Sequence, residues 1–140
     1  MQVSLFHYIR SMKKIWIFLA LSLLQWSCKN EPLTVEETIR KFVELQSSGD
    51  CAAAQELCIE NAYETMQASI DTGCEPRPSE IISCDCETRE NETRCRCIEK
   101  IDGMDLSIPY ALKQVDGEWK IFDLTKDCGP EVWEEDFIKM

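Results

Sequence analysis

The sequence predicts an α+β domain: two or three N-terminal helices packed on a four-stranded antiparallel meander sheet and stapled by disulfides. Three observations predict it. Cys84, Cys86, Cys95 and Cys97 are placed symmetrically about Glu90-Asn91. A fold there sets Cys86 opposite Cys95 and Cys84 opposite Cys97, and the two-residue period of a strand puts all four on one face. Asp102-Gly103 and Asp116-Gly117 are strong two-residue hairpin turns that extend the sheet by two strands. The residues before Cys74 carry helical periodicity and helix-capping signals instead.

In chain order, Met12-Lys13-Lys14 precedes a ten-residue apolar run, Ile15 to Leu24, and then Gln25-Trp26-Ser27-Cys28. The charged and apolar parts are those of a secretory signal over residues 1–27, and Met12 is a more natural start than Met1. Ten helical residues span about 15 Å, half of a hydrocarbon core near 30 Å, so this is a leader and not a permanent transmembrane helix. It resembles the leader of bacterial lipoproteins, in which a small residue precedes a cysteine that receives diacylglycerol. Ser27-Cys28 fits that pattern. Gln25 and Trp26 depart from its stricter form, and the looser Ser-Cys-Lys-Asn style resembles lipoproteins of the Bacteroidota. The resemblance implies lipidation at Cys28, residues 28–33 as an anchored tether, and, with Lys29 after the cysteine, the outer membrane as destination. Lipidating Cys28 also leaves eight of the nine cysteines, an even number.

The domain proper is expected over residues 34–140. Thr34, three residues before Glu37, forms a capping-box pattern that opens a helix with Val35, Ile39, Phe42 and Val43 on one face, ended by Gly49. Asp50 caps a second helix in which Cys51, Ala54 and Cys58 share a face. A third runs from about Asn61 to Asp71, with Ala62, Tyr63, Met66 and Ile70 inward and Gly73 as its stop. Cys74-Glu-Pro-Arg-Pro78 is a stiff connector to the sheet.

The hairpin turns set the registers. Pairing Ile101 with Met104 places Cys97 opposite Ile108 and Cys95 opposite Tyr110; pairing Val115 with Glu118 places Leu112 opposite Ile121 and Gln114 opposite Trp119. One face then carries Ile82, the four hairpin cysteines, Leu106, Ile108, Tyr110, Leu112, Trp119 and Ile121. The other carries Arg94, Arg96, Ser107, Lys113, Glu118 and Lys120, with Ile98, Phe122 and Leu124 as apolar exceptions. After Cys128-Gly129-Pro130, a short helix with Val132, Trp133 and Phe137 is expected to cover part of Phe122 and Leu124.

This order of elements resembles the cystatin-like or nuclear-transport-factor-2-like lipoproteins of unknown function. The residues that carry the resemblance are Thr34 to Phe42, Gly49-Asp50 and the final Gly117-Glu-Trp-Lys120, and it spans roughly residues 33 to 125. It implies the same α+β fold around a cone, and no residue can be matched to a catalytic role in the isomerases that share the wider fold.

Composition narrows the function. Removing Arg10, Lys13 and Lys14 with the leader leaves 12 basic residues against 26 acidic ones, a net charge of −14. Such a chain repels phosphate backbones, which excludes nucleic acid as a partner. The single histidine, His7, lies in the leader, so no Ser-His-Asp or Cys-His mechanism and no imidazole zinc site is available to the domain. The expectation is a non-catalytic envelope lipoprotein, binding or structural, joined to the membrane by its anchor and needing no cofactor. An isomerase-like enzyme is the alternative, with Asp123 as its carboxylate and Tyr110 or Tyr63 as donors. A second alternative is a thiolate metal site built from the paired Cys-x-Cys motifs. Four disulfides and no metal are expected. Either Cys84 joins Cys97 and Cys86 joins Cys95, or these four reach up to Cys51, Cys58, Cys74 and Cys128.

Overall fold

The computed structural model describes residues 30–131. The leader with Met12, Cys28 and its lipidation, and Val132, Trp133 and Phe137 of the expected tail helix, lie outside the described residues.

Helix α1 (Val35–Ser47) begins as its capping box requires: Glu37 N donates to Thr34 Oγ1 at 3.2 Å while Thr34 N donates to Glu37 Oε2 at 2.8 Å. Its buried stripe is Thr38, Ile39, Phe42 and Val43. Gly49 turns the chain at φ +81°, and a Cβ there would come within 2.8 Å of Pro76 Cγ, so glycine is required both by conformation and by space. Asp50 caps α2 (Cys51–Gln55) by accepting from Ala53 N at 3.2 Å.

The second helix is shorter than expected and does not reach Cys58. After Gln55 the chain straightens and runs beside the last strand. Ile59 N donates to Ile121 O at 2.8 Å, and Ile121 N donates to Leu57 O at 2.9 Å. Cys58 is buried through this parallel bridge instead of through a helix face. Helix α3 (Glu60–Asp71) then buries Ala62 and Met66. Tyr63 does not point inward: one residue on from Ala62 it is carried about 100° around the axis, and it is 46% exposed.

The sheet is an antiparallel meander in the order β1 (Ser79–Arg89), β2 (Glu92–Ile101), β3 (Met104–Val115), β4 (Glu118–Asp123). All the registers read from the turns are present: Cys84 with Cys97, Cys86 with Cys95, Cys95 with Tyr110, Ile101 with Met104, Leu112 with Ile121 and Val115 with Glu118. Asp102 and Gly103, like Asp116 and Gly117, have positive φ, as the type I′ turn demands.

The inner face differs from the expected one at its margins. A bulge between Ile81 and Ser83 inserts one residue, so the alternation reverses: Ile81 is buried and Ile82 is 48% exposed. Leu106 and Cys86 are also exposed, at opposite ends of the face. Between them Cys95, Cys97, Tyr110, Leu112 and Ile121 form the core with Ile39, Phe42, Val43 and Met66, and Trp119 packs half-buried at its edge.

Among the described residues three disulfides are present where four were expected: Cys51–Cys74, Cys84–Cys97 and Cys86–Cys95. The hairpin pairs have Cα atoms 4.0 Å apart, near the spacing of non-hydrogen-bonded antiparallel partners, about 4.5 Å. Cys58 and Cys128 are buried free thiols. The sheet explains why they stay apart. Cys58 belongs to the inner core, whereas Cys128 is buried outside that cluster, with its carbonyl accepting from Arg94 Nη1 of the outer face at 3.3 Å. The chain through Glu131, which pairs with Arg96, lies on that outer face as well. Burial pushes each thiol up to about 12, so neither is a thiolate at neutral pH.

Candidate functional site

Strand β2 buries every second residue: Thr93, Cys95, Cys97, Glu99 and Ile101. The period that seats the hairpin sulfurs therefore also seats a carboxylate, and Glu99 is only 4% exposed. Tyr110 stands opposite Cys95, four residues back along β2, so its side chain must lie along the inner face to reach Glu99. Its hydroxyl donates to Glu99 Oε1. The ring is held by Phe42 of α1 in an edge-on contact, centroids 6.2 Å apart.

Glu99 and Ile101 form the floor of a cleft of about 410 Å³. Its walls come from the C-terminal ends of α1 (Gln46) and α3 (Ser69, Thr72) and from the connector, including Arg77 and the Cys51–Cys74 disulfide. Among the described residues Tyr110 is the donor to the Glu99 carboxylate, and no buried side-chain oxygen or nitrogen is left without a partner. The second carboxylate oxygen, Oε2, is therefore open to the cleft. Burial raises the Glu99 pKa against the opposing effects of the Tyr110 hydrogen bond and the Arg77 charge. The Tyr110 phenol is pushed up by burial first and then by the Glu99 charge, so it remains a donor.

The residues singled out for an enzyme do not converge. Asp123 ends β4, where it accepts from Asn61 Nδ2 at 3.0 Å and from Thr125 N at 2.9 Å. Partial burial raises its pKa, but the hydrogen bonds from Thr125 and Asn61 outweigh burial and the net shift is downward. It does not line the cleft. Tyr63 faces solvent, and the Tyr110 proton is committed to Glu99. All four hairpin sulfurs are in disulfides, so the thiolate alternative has lost its ligands. The residue that sequence reasoning passed over is Glu99. Its signal was present in the alternation, two positions beyond Cys97, but a charged residue among apolar neighbours on a strand is ordinarily assigned to the solvent face.

The fold and this cleft define a small α+β domain in which, among the described residues, Glu99 is the buried acid at an open site. No protein-family model matches the chain, and no curated protein matches it. Among solved structures it is similar to a protein from Cytophaga hutchinsonii described as an NTF2-like protein of unknown function. The identity is 10%, the match covers 66% of this chain and 90% of that one, and the TM-score is 0.42. The fold class accordingly rests on the strand order and helix placement described above.

Proposed function

We propose that the protein is a lipid-anchored lipoprotein of the bacterial cell envelope, directed to the outer membrane, whose domain binds a small molecule without transforming it. The observation that supports binding is the Glu99 carboxylate, almost dry, with one oxygen held by Tyr110 and the other open to a cleft. A buried charge lowers stability unless it is fully compensated, and such a group in a cleft is the mark of a ligand contact. The Tyr110 hydroxyl favours binding over catalysis, because it orients Glu99 and is not available to polarise a substrate. Anchoring is supported by the leader and by Ser27-Cys28. Two or three acyl chains, at about 0.8 kcal/mol per buried CH₂, hold a protein to a bilayer stably.

Two measurements test the reading. Cells given labelled palmitate should incorporate it into the wild-type chain and not into Cys28→Ala; wild-type protein without acyl mass removes the anchor. A small-molecule screen followed by amide chemical shifts should perturb Ser69, Gly73 and Ile101 together while the recovered ligand is unchanged. Conversion of the ligand would instead assign proton transfer to Glu99, whose raised pKa is the feature that favours an enzyme.

A further inference from the structure

We propose that the cleft takes the ammonium group of a small organic amine, seated between the open oxygen of Glu99 and the C-terminal ends of α1 and α3. The inference rests on the cleft being a binding site and adds the charge class of what it binds.

The helices supply the independent argument. Gln46 lies in the last turn of α1, and Ser69 and Thr72 lie in the last turn and cap of α3; all three line the cleft. The two helices are 13 and 12 residues long. Each brings a partial charge of about −0.5 at that end. Neither has a basic residue in its last turn, so neither end carries a cation of its own. Their last carbonyls accept hydrogen bonds from the capping N–H groups and from the Ser48 and Thr72 hydroxyls, but no side-chain cation of their own offsets the dipoles, so two negative helix ends and a buried carboxylate line one volume.

Arg77 is the single cation among the described lining residues, and it does not fill the role. Its side chain is 64% exposed and its guanidinium turns to Asp102, 3.6 Å away. An anionic ligand would meet Glu99, Glu75 and both helix ends, and is excluded by the same field. A neutral alcohol can donate to Glu99 but brings no positive charge to the negative helix ends. Calcium and magnesium take six or more oxygen ligands and zinc about four N, S or O ligands, and no group of three or more His, Cys, Asp or Glu is gathered for one among the described residues. An ammonium brings three donors and one positive charge, which Glu99 Oε2 and the Ser69 and Thr72 hydroxyls can receive. The volume suits a small ligand, at the lower end of the usual range of about 300–1,000 Å³.

The test uses the full chain in detergent, titrated with benzylammonium, benzyl alcohol and benzoate and followed by the amide shifts of Gly73 and Ile101. Benzylammonium should saturate one site at least about tenfold more tightly than benzyl alcohol, the scale of one charge-assisted contact. Glu99→Gln should abolish that preference, and Arg77→Ala, which removes a competing cation, should tighten benzylammonium a few-fold. Benzyl alcohol or benzoate binding at these amides as tightly as benzylammonium would overturn the charge assignment while leaving a binding cleft. A preference that survives Glu99→Gln would do the same. No response to any of the three would remove the cleft as a site, and the binding reading with it. Should Glu99→Gln fail to fold, the exposed Arg77→Ala decides, and unchanged or weaker ammonium binding overturns the proposal.

Discussion

A glutamine at position 99 would keep the shape of Glu99 and an acceptor for Tyr110, without a charge to bury. The sign of its effect follows from the raised pKa. A carboxyl whose folded pKa lies above its unfolded value, about 4.3, contributes stability in full below that value, and this is lost as pH rises through the folded pKa. Thermal unfolding from pH 4 to 8 should therefore show Glu99→Gln gaining on the wild type as pH rises and exceeding it at neutrality. The charged and titratable groups around Glu99 are Tyr110, Arg77 and Glu75, and of these Tyr110 and Arg77 oppose burial without reversing it. Equal unfolding curves across that range would mean that Glu99 is solvated. Glu90 offers a second test, because it holds φ +55° at the first hairpin turn, a conformation that disfavours a side chain by about 1–2 kcal/mol. Glycine relieves this at some cost in chain entropy, so Glu90→Gly should stabilise by about 0.5–1 kcal/mol in denaturant melts. Glu99 and Glu90 also show what a sequence conceals. Alternation put Glu99 on the inner face, but its charge argued for the outer one, and only the fold shows that a cleft and a phenol are there to receive it.

Among the elements, the hairpins were the most legible, since Asp-Gly pairs determine registers locally and every pairing taken from them is present. The bulge at Ile82 was not legible, because one inserted residue leaves no compositional trace and yet reverses the face of all residues before it. The paths of Cys58 and Cys128 were likewise hidden, being decided by which side of the sheet the chain takes after α2 and after β4. Between the helices, Gly49→Ala should cost about 2 kcal/mol or more, combining positive φ with the approach to Pro76. A loss below about 0.5 kcal/mol would show that this turn relaxes freely. The Cys51–Cys74 disulfide closes the longest loop of the three, 23 residues against 13 and 9. In the chain-entropy model, replacing both cysteines with serine should cost about 3 kcal/mol, and the cleft wall formed by Cys74 and Arg77 should loosen with it.

For the whole molecule, the sulfur count gives a direct measurement. The six paired cysteines put the intact mass about 6 Da below the reduced value, and in the chain whose ninth cysteine, Cys28, is acylated, thiol labelling should add two groups only after denaturation, at Cys58 and Cys128. A deficit of about 8 Da would mean that those two also pair, with the chain taking another path around the sheet. The parallel bridge between Leu57–Ile59 and Ile121 carries a consequence of a different kind, in the order of folding. Three hairpins close over turns of two residues, whereas this bridge joins segments roughly 60 residues apart, and closure of so long a loop comes after local pairing has restricted the chain. The meander can thus form before its helical cover docks. In pulsed hydrogen exchange during refolding, the β2 and β3 amides should become protected first and Ile59 and Ile121 last. During that interval the unpaired side of β4 lies bare, and it is the segment on which two half-folded copies would meet.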